Sequence, residues 1–212
     1  AWTIGGISSF CRFFEVLVGT VVIYNLSQNA LLVAINAALR VAPLFILGSK
    51  LGKIADSVDK RYLITLSMVI FSLASFVTFI LMTSELIKVW HLLSISFVSG
   101  LGWAIEFPSR RSFIGDVLPR KNIPLGVGLD LMISNMGRFI GPVIAGLIIQ
   151  YYINFTFLFS MFFYVLALIM SLTLFKIKKT FVRVEIDSNK PTKFTSDIIY
   201  SKFISIVSNF WQ

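Results

Sequence analysis

The sequence is short of charge, of cysteine and of histidine, and each shortage excludes something. Asp, Glu, Lys and Arg make up 14% of the 212 residues, against roughly 25% in a soluble domain. The apolar share is 57%, more than a chain of this size can hide in its own core, so lipid is its natural solvent. Cys11 is the only cysteine, which rules out a disulfide scaffold. His91 is the only histidine, and beside Trp90 at the edge of an apolar run it reads as an interfacial residue. With no HExxH, no GxSxG and no cysteine pair, the chain offers an intramembrane enzyme neither nucleophile and base nor metal ligands. The expectation is a non-enzyme with no catalytic residue, no cofactor and no metal. No cleavable signal peptide is visible. The chain opens on Ala1-Trp2 without a Met and stops at Gln212 inside a helical pattern, so it reads as a piece of a longer protein.

What is present is six apolar runs, at about 2–24, 30–51, 62–83, 89–107, 124–150 and 152–175, each near the ~20 residues that a spanning helix needs. The short connections make neighbouring helices antiparallel. A net charge of +9 would suit nucleic acid or a membrane surface, and its distribution decides. Fifteen of the nineteen Lys and Arg residues lie in the second–third and fourth–fifth connections and after the sixth run. Lys88 stands alone on the opposite side. Positive residues stay cytoplasmic. The chain is therefore expected in the plasma membrane, multi-pass, with both ends cytoplasmic, the lipid bilayer as its surroundings and no nucleic-acid partner. Residues 1–175 form the membrane part and 176–212 a cytoplasmic tail. The tail is polar around Asn189-Lys190-Pro191. From Asp197 its apolar residues recur at helical spacing, as in a helix lying on the inner membrane surface or packed on a further domain.

Charges inside the apolar runs are the next signal, because an ionisable group at the bilayer centre costs a few kcal/mol and normally faces a cavity or another helix. The third and sixth runs have none and can face lipid. The first has Arg12 and Glu15, the second Arg40, the fourth Glu106 at its inner end, the fifth Asp130 and Arg138. Arg12 and Glu15 are three apart on one face. They are either a self-neutralised pair that holds the bundle or a substrate or proton site near mid-depth. Arg40 and Arg138 have no partner in their own helix turns. Asp130 and Arg138, eight residues apart, share a side without contact. The spacing thus nominates Arg12, Glu15, Arg40, Glu106, Asp130 and Arg138 as cavity or coupling residues. At mid-depth the three arginines stand against Glu15 and Asp130 alone, a slight positive excess that points to an anionic or zwitterionic cargo. In the fifth run Gly137 and Gly141 are four apart and let another helix approach; Asp130 and Ser134 continue that stripe, and Pro142 can bend the helix.

Two motifs carry a resemblance. The run GKIADSVDKR, Gly52 to Arg61, resembles motif A of the major facilitator superfamily, G-x-L-A-D-R-x-G-R-K, through Gly52, Ala55, Asp56, Lys60 and Arg61, with Ser57 and Asp59 departing from it. Gly128, Gly137, Gly141, Pro142 and Gly146 fall at the spacing of the antiporters' motif C. EFPSRRSFIGDVLPR, from Glu106, is similar to the transmembrane secretion effector branch, whose members include enterobactin-exporter-like proteins. Ser96 stands where motif B of many exporters has Arg, so proton coupling would fall to Glu15 or Asp130.

The resemblance implies an all-α membrane fold: the N-terminal six-helix half of a twelve-helix transporter, built of inverted three-helix repeats, its C-terminal half missing from this chain. It implies the first and fourth helices at a central cavity, the second and fifth facing the other half, and the third and sixth outside. It also implies that Asp56 latches an inner gate by pairing with the loop's basic residues and meeting a helix end of the other half. The function implied is secondary active transport by alternating access: efflux of a small molecule (drug, siderophore or metabolite) with protons as the coupling ion. The alternative is a non-transporting six-helix module, or a half-transporter acting as a dimer.

Overall fold

The computed structural model describes residues 1–176, and of residues 49–57, 154 and 176 the backbone alone. The amphipathic tail expected beyond 176 lies outside the described residues. Six helices follow one another: α1 Trp2–Ser27, α2 Ala30–Ser57, α3 Lys60–Thr83, α4 Val89–Val117, α5 Ile123–Tyr152 and α6 Thr156–Thr173, with short 3-10 turns before and after α5 and after α6. All six are long and apolar enough to cross a membrane, and among the described residues there is no strand.

The helix ends have local causes. α1 closes at Gln28, whose φ of 51° turns the chain out of the helix while its N–H donates to the Tyr24 carbonyl. Asp59 starts α3 by accepting from the Arg61 backbone N–H, the usual office of an aspartate at a helix start. Two ends differ from the sequence expectation. α2 runs on to Ser57, so the first half of the motif A run is helical rather than loop. α4 runs ten residues beyond 107, through Pro108, to Val117. The polar run EFPSRR looked like the start of a loop, but its first Arg is neutralised inside the bundle and the helix continues.

The packing has an internal symmetry. α1 lies along α5 and α4 along α2; α1 also touches α6, and α4 touches α3; α3 and α6 pack on each other. Exchanging α1-α2-α3 for α4-α5-α6 maps this pattern onto itself. Each triplet has an odd number of helices, so successive triplets enter from opposite sides, as in an inverted repeat.

In lipid there is no hydrophobic drive between helices, and close approach and interhelical hydrogen bonds hold them. Both occur here. A Cβ built on Gly137 would stand 2.7 Å from the Phe10 backbone N, and one on Gly141 2.6 Å from the Phe10 carbonyl O. Only glycine lets α5 lie this close to α1. Gly100 does the same on α4, where a Cβ would run into the Arg40 carbonyl of α2. Thr65 and Ser171 share a hydrogen bond of 3.0 Å between α3 and α6. Two apolar clusters fill the bundle. One joins Ile4, Ile64, Met68, Phe71, Phe113 and Tyr164; the other joins Phe14, Val18, Ile23, Leu92 and Phe157.

Candidate functional site

The two clusters leave a polar belt around α1. Its centre is Arg110 of α4, a residue the sequence reading counted with the loop charges. Arg110 is 1% exposed. Its Nε donates to Glu106 Oε1 at 2.6 Å, one turn back on the same helix. Its Nη1 pairs with Asp130 of α5, and its Nη2 lies 3.5 Å from Ser134 Oγ. Gly5 of α1 makes the room, since a Cβ there would fall 2.5 Å from Arg110 Cζ. Ser8 adds a hydroxyl donor to Glu106 Oε1 at 3.3 Å. The helix spacing explains the pair: Glu106 and Arg110 are four apart and sit on one face.

Arg12 completes the set. Its Nη1 is 3.8 Å from Glu106 Oε2, its Nη2 donates to Ser9, and its guanidinium lies 4.8 Å from the centre of the Trp103 ring, within the range of a cation–π contact. Two arginines thus face two carboxylates across α1, α4 and α5. Balanced charge lets such a group sit in a low-dielectric interior, where an unpaired ion costs several kcal/mol.

Glu15 is placed differently. It does not pair with Arg12, which turns to Glu106, so the self-neutralised pair is absent. Instead Ser75 of α3 donates a hydrogen bond to it. Glu15 lines a pocket with Gly19, Asn36, Arg40, Ser75 and Ser96, drawn from α1, α2, α3 and α4. Arg40 donates to the Arg12 carbonyl at 3.1 Å. Asp130 and Arg138 do not meet: Asp130 is committed to Arg110, and Arg138 lies over the Phe13 ring, 5.2 Å from its centre. Among the described residues neither Arg40 nor Arg138 has a carboxylate within ion-pair distance.

The motif residues divide. Gly52 and Asp56 lie in the last turns of α2 and are described by their backbone alone. Lys60 Nζ bridges α3 to α4 through Asp116 Oδ2 at 2.6 Å. Arg61 is buried, and its Nη1 donates to the Phe175 carbonyl at 3.1 Å, beyond the end of α6. Gly137 and Gly141 face α1, on the buried side of α5 that also carries Gly126, Asp130, Ser134 and Ala145. A Cβ built on Gly128 would meet nothing within 4 Å, and one on Gly146 only the tip of Leu17; Pro142 lies within α5. The sequence reading missed Arg110, Ser75, Asn36 and Trp103. The four-residue spacing of Glu106 and Arg110 was the available signal for the first; nothing local marks the other three.

The arrangement holds ionic groups inside a membrane-length bundle and leaves one carboxylate beside a pocket. Comparison with known proteins agrees in kind. A family model described as transmembrane secretion effector matches residues 1–194. The Staphyloferrin A transporter of Staphylococcus aureus (strain NCTC 8325 / PS 47) is 28% identical over 179 residues, which is 81% of this chain and 45% of that protein. The chain thus spans less than half the length of this curated relative. A membrane bundle of six helices paired in the pattern of an inverted repeat, matched by the family model over most of its length, places the chain in the transmembrane secretion effector family of the major facilitator superfamily.

Proposed function

We propose that the chain is the N-terminal half of a secondary active transporter that exports a small molecule by alternating access, coupled to protons. The observation that carries the reading is the buried ionic belt of Arg12, Glu106, Arg110 and Asp130 with Glu15 beside it. Ionisable groups at membrane depth mark a pathway or relay far more often than a plain structural core. The family match and the Staphyloferrin A transporter as a relative support transport over catalysis. An anionic or zwitterionic cargo suits Arg138, which among the described residues has no carboxylate partner. Motif A supplies the inner latch in this reading, with Lys60 and Arg61 already tying α3 to α4 and α6 at one end of the bundle.

α2 and α5 present large apolar side chains outward, among them Phe45 and Ile46 on α2 and Met132, Phe139 and Val143 on α5. In the proposed transporter these faces meet the second six-helix half. A second copy of this chain covering the same faces would make it a half-transporter instead.

The test is export of a compound panel from vesicles holding the complete protein, with and without a pH gradient. Gradient-driven movement of any compound outward supports the reading. Gradient-independent leakage alone, or no movement of any compound, removes it.

A further inference from the structure

Two carboxylates in the bundle were candidates for carrying a proton, and their surroundings separate them. Asp130 is held by Arg110, which also holds Glu106. Protonating Asp130 would leave Arg12 and Arg110 facing Glu106 alone, one cation in excess in the interior, which opposes the change. Among the described residues Glu15 has no ion pair. Its neighbours are neutral donors and one cation kept at a distance. Ser75 comes from α3, Ser96 from α4, and Arg40 from α2. Tyr164 of α6 and Cys11 of its own helix lie within electrostatic reach.

The pocket between Glu15 and Arg40 has a volume of about 10 Å³. That is the room of one water molecule, which needs two to four polar partners. The walls offer both kinds. Asn36 Oδ1 is a buried acceptor and Arg40 Nε a buried donor, each without a partner among the described residues; Asn36 is 4% exposed. A metal cation would face the guanidinium, and an anion would face the carboxylate. A neutral molecule that both donates and accepts fits the walls and the size.

Arg40 is also placed to transmit. Its Nη1 grips the carbonyl of Arg12 on α1, and its own backbone lies against Gly100 of α4. Moving the Arg40 side chain therefore loosens α2 from α1 at the point where α2 also meets α4.

We propose that Glu15 is the proton-carrying carboxylate of this half and that Arg40, facing it across a one-water site, reads its charge and passes the change to α2. The proposal rests on the coupled-transport reading above. Hydronium at the site gives its proton to a Glu15 oxygen, leaving water and the neutral acid; the reverse step returns the proton to water. With Glu15 ionised, Arg40 is drawn toward the pocket and α2 is held. With Glu15 neutral, that attraction is gone. Arg40 is a positioning residue here, not a group that touches the cargo.

The test uses spin labels at the outer ends of α2 and α4, Leu31→Cys and Trp90→Cys, in the complete protein with Cys11 and any further native cysteine replaced by Ser. Distance distributions are recorded at high and low pH, with gradient-driven transport assayed in parallel. The expected result is a shift between the two pH values. Glu15→Gln shows the low-pH distribution throughout. Arg40→Gln loses the shift, Arg40→Lys keeps it, and Asp130→Asn keeps it. If Glu15→Gln does not fold, the Arg40→Gln and Arg40→Lys pair decides the question, because both alter packing and only one removes charge. The proposal is overturned if the parent shows no shift, if Asp130→Asn abolishes it while Glu15→Gln retains it, or if Arg40→Lys and Arg40→Gln behave alike. A normal shift without any transport would sink the transporter reading and leave the Glu15–Arg40 linkage standing.

Discussion

Arg110 shows how one residue sets the cost of every other charge near it. Its guanidinium is the shared partner of Glu106 and Asp130. Removing it leaves Asp130 buried without a cation and Glu106 with Arg12 alone, and breaking a buried pair from one side costs about 3–5 kcal/mol. Arg110→Met should therefore lower the thermal unfolding midpoint sharply. The double change Arg110→Met and Asp130→Asn should recover much of the loss, since Glu106 still faces Arg12 and the unpaired charge is then gone. A calorimetric or dye-based melt of the purified complete protein checks both; a single mutant as stable as the parent would contradict the ion-pair account. Lys60 is the contrasting case. Its partner Asp116 is about a third exposed, and such pairs contribute under about 1 kcal/mol. Lys60→Gln should change the melt little, and its effect should shrink further in high salt.

At the scale of the helix, α1 is the element the others need. α5 reaches it because Gly137 and Gly141 present no side chain to the Phe10 backbone. Gly137→Val should force α5 outward and reduce both yield and melting temperature of the complete protein. Gly115→Ala is the control: nothing lies within 4 Å of its Cβ, and helix propensity favours Ala over Gly by about 1 kcal/mol. It should be neutral or stabilising. A Gly137→Val protein as stable as the parent would mean that α1 and α5 do not pack this closely. The end of α4 carries the same lesson from the other direction. A helix was expected to stop at 107 and runs to Val117, because the charge that looks like a loop signal is matched from α5, a partner that local sequence does not display.

For the whole molecule, the charge distribution makes a topological prediction. Connections poor in Lys and Arg face outward and rich ones inward. A cysteine at Ser84 should react with an impermeant thiol reagent in intact cells. One at Lys121 should react only after the membrane is opened. The native Cys11 is buried and should stay silent, and the parent protein labelled in parallel gives the background. The reverse labelling pattern would invert the orientation and with it the direction assigned to export.

The six spans and the antiparallel order were determined by the sequence itself, because apolar length and short connections are local properties. That another helix would lie close to α5 was also written there, in Gly137 and Gly141; that this helix is α1 was not. Which charges face one another was not. Arg12 stands three residues from Glu15 and yet turns to Glu106; Asp130 shares a helix with Arg138 and yet binds Arg110. An ion in a low-dielectric interior takes the nearest opposite charge in space. That neighbour comes from another helix, so only the tertiary packing of α1, α4 and α5 decided it.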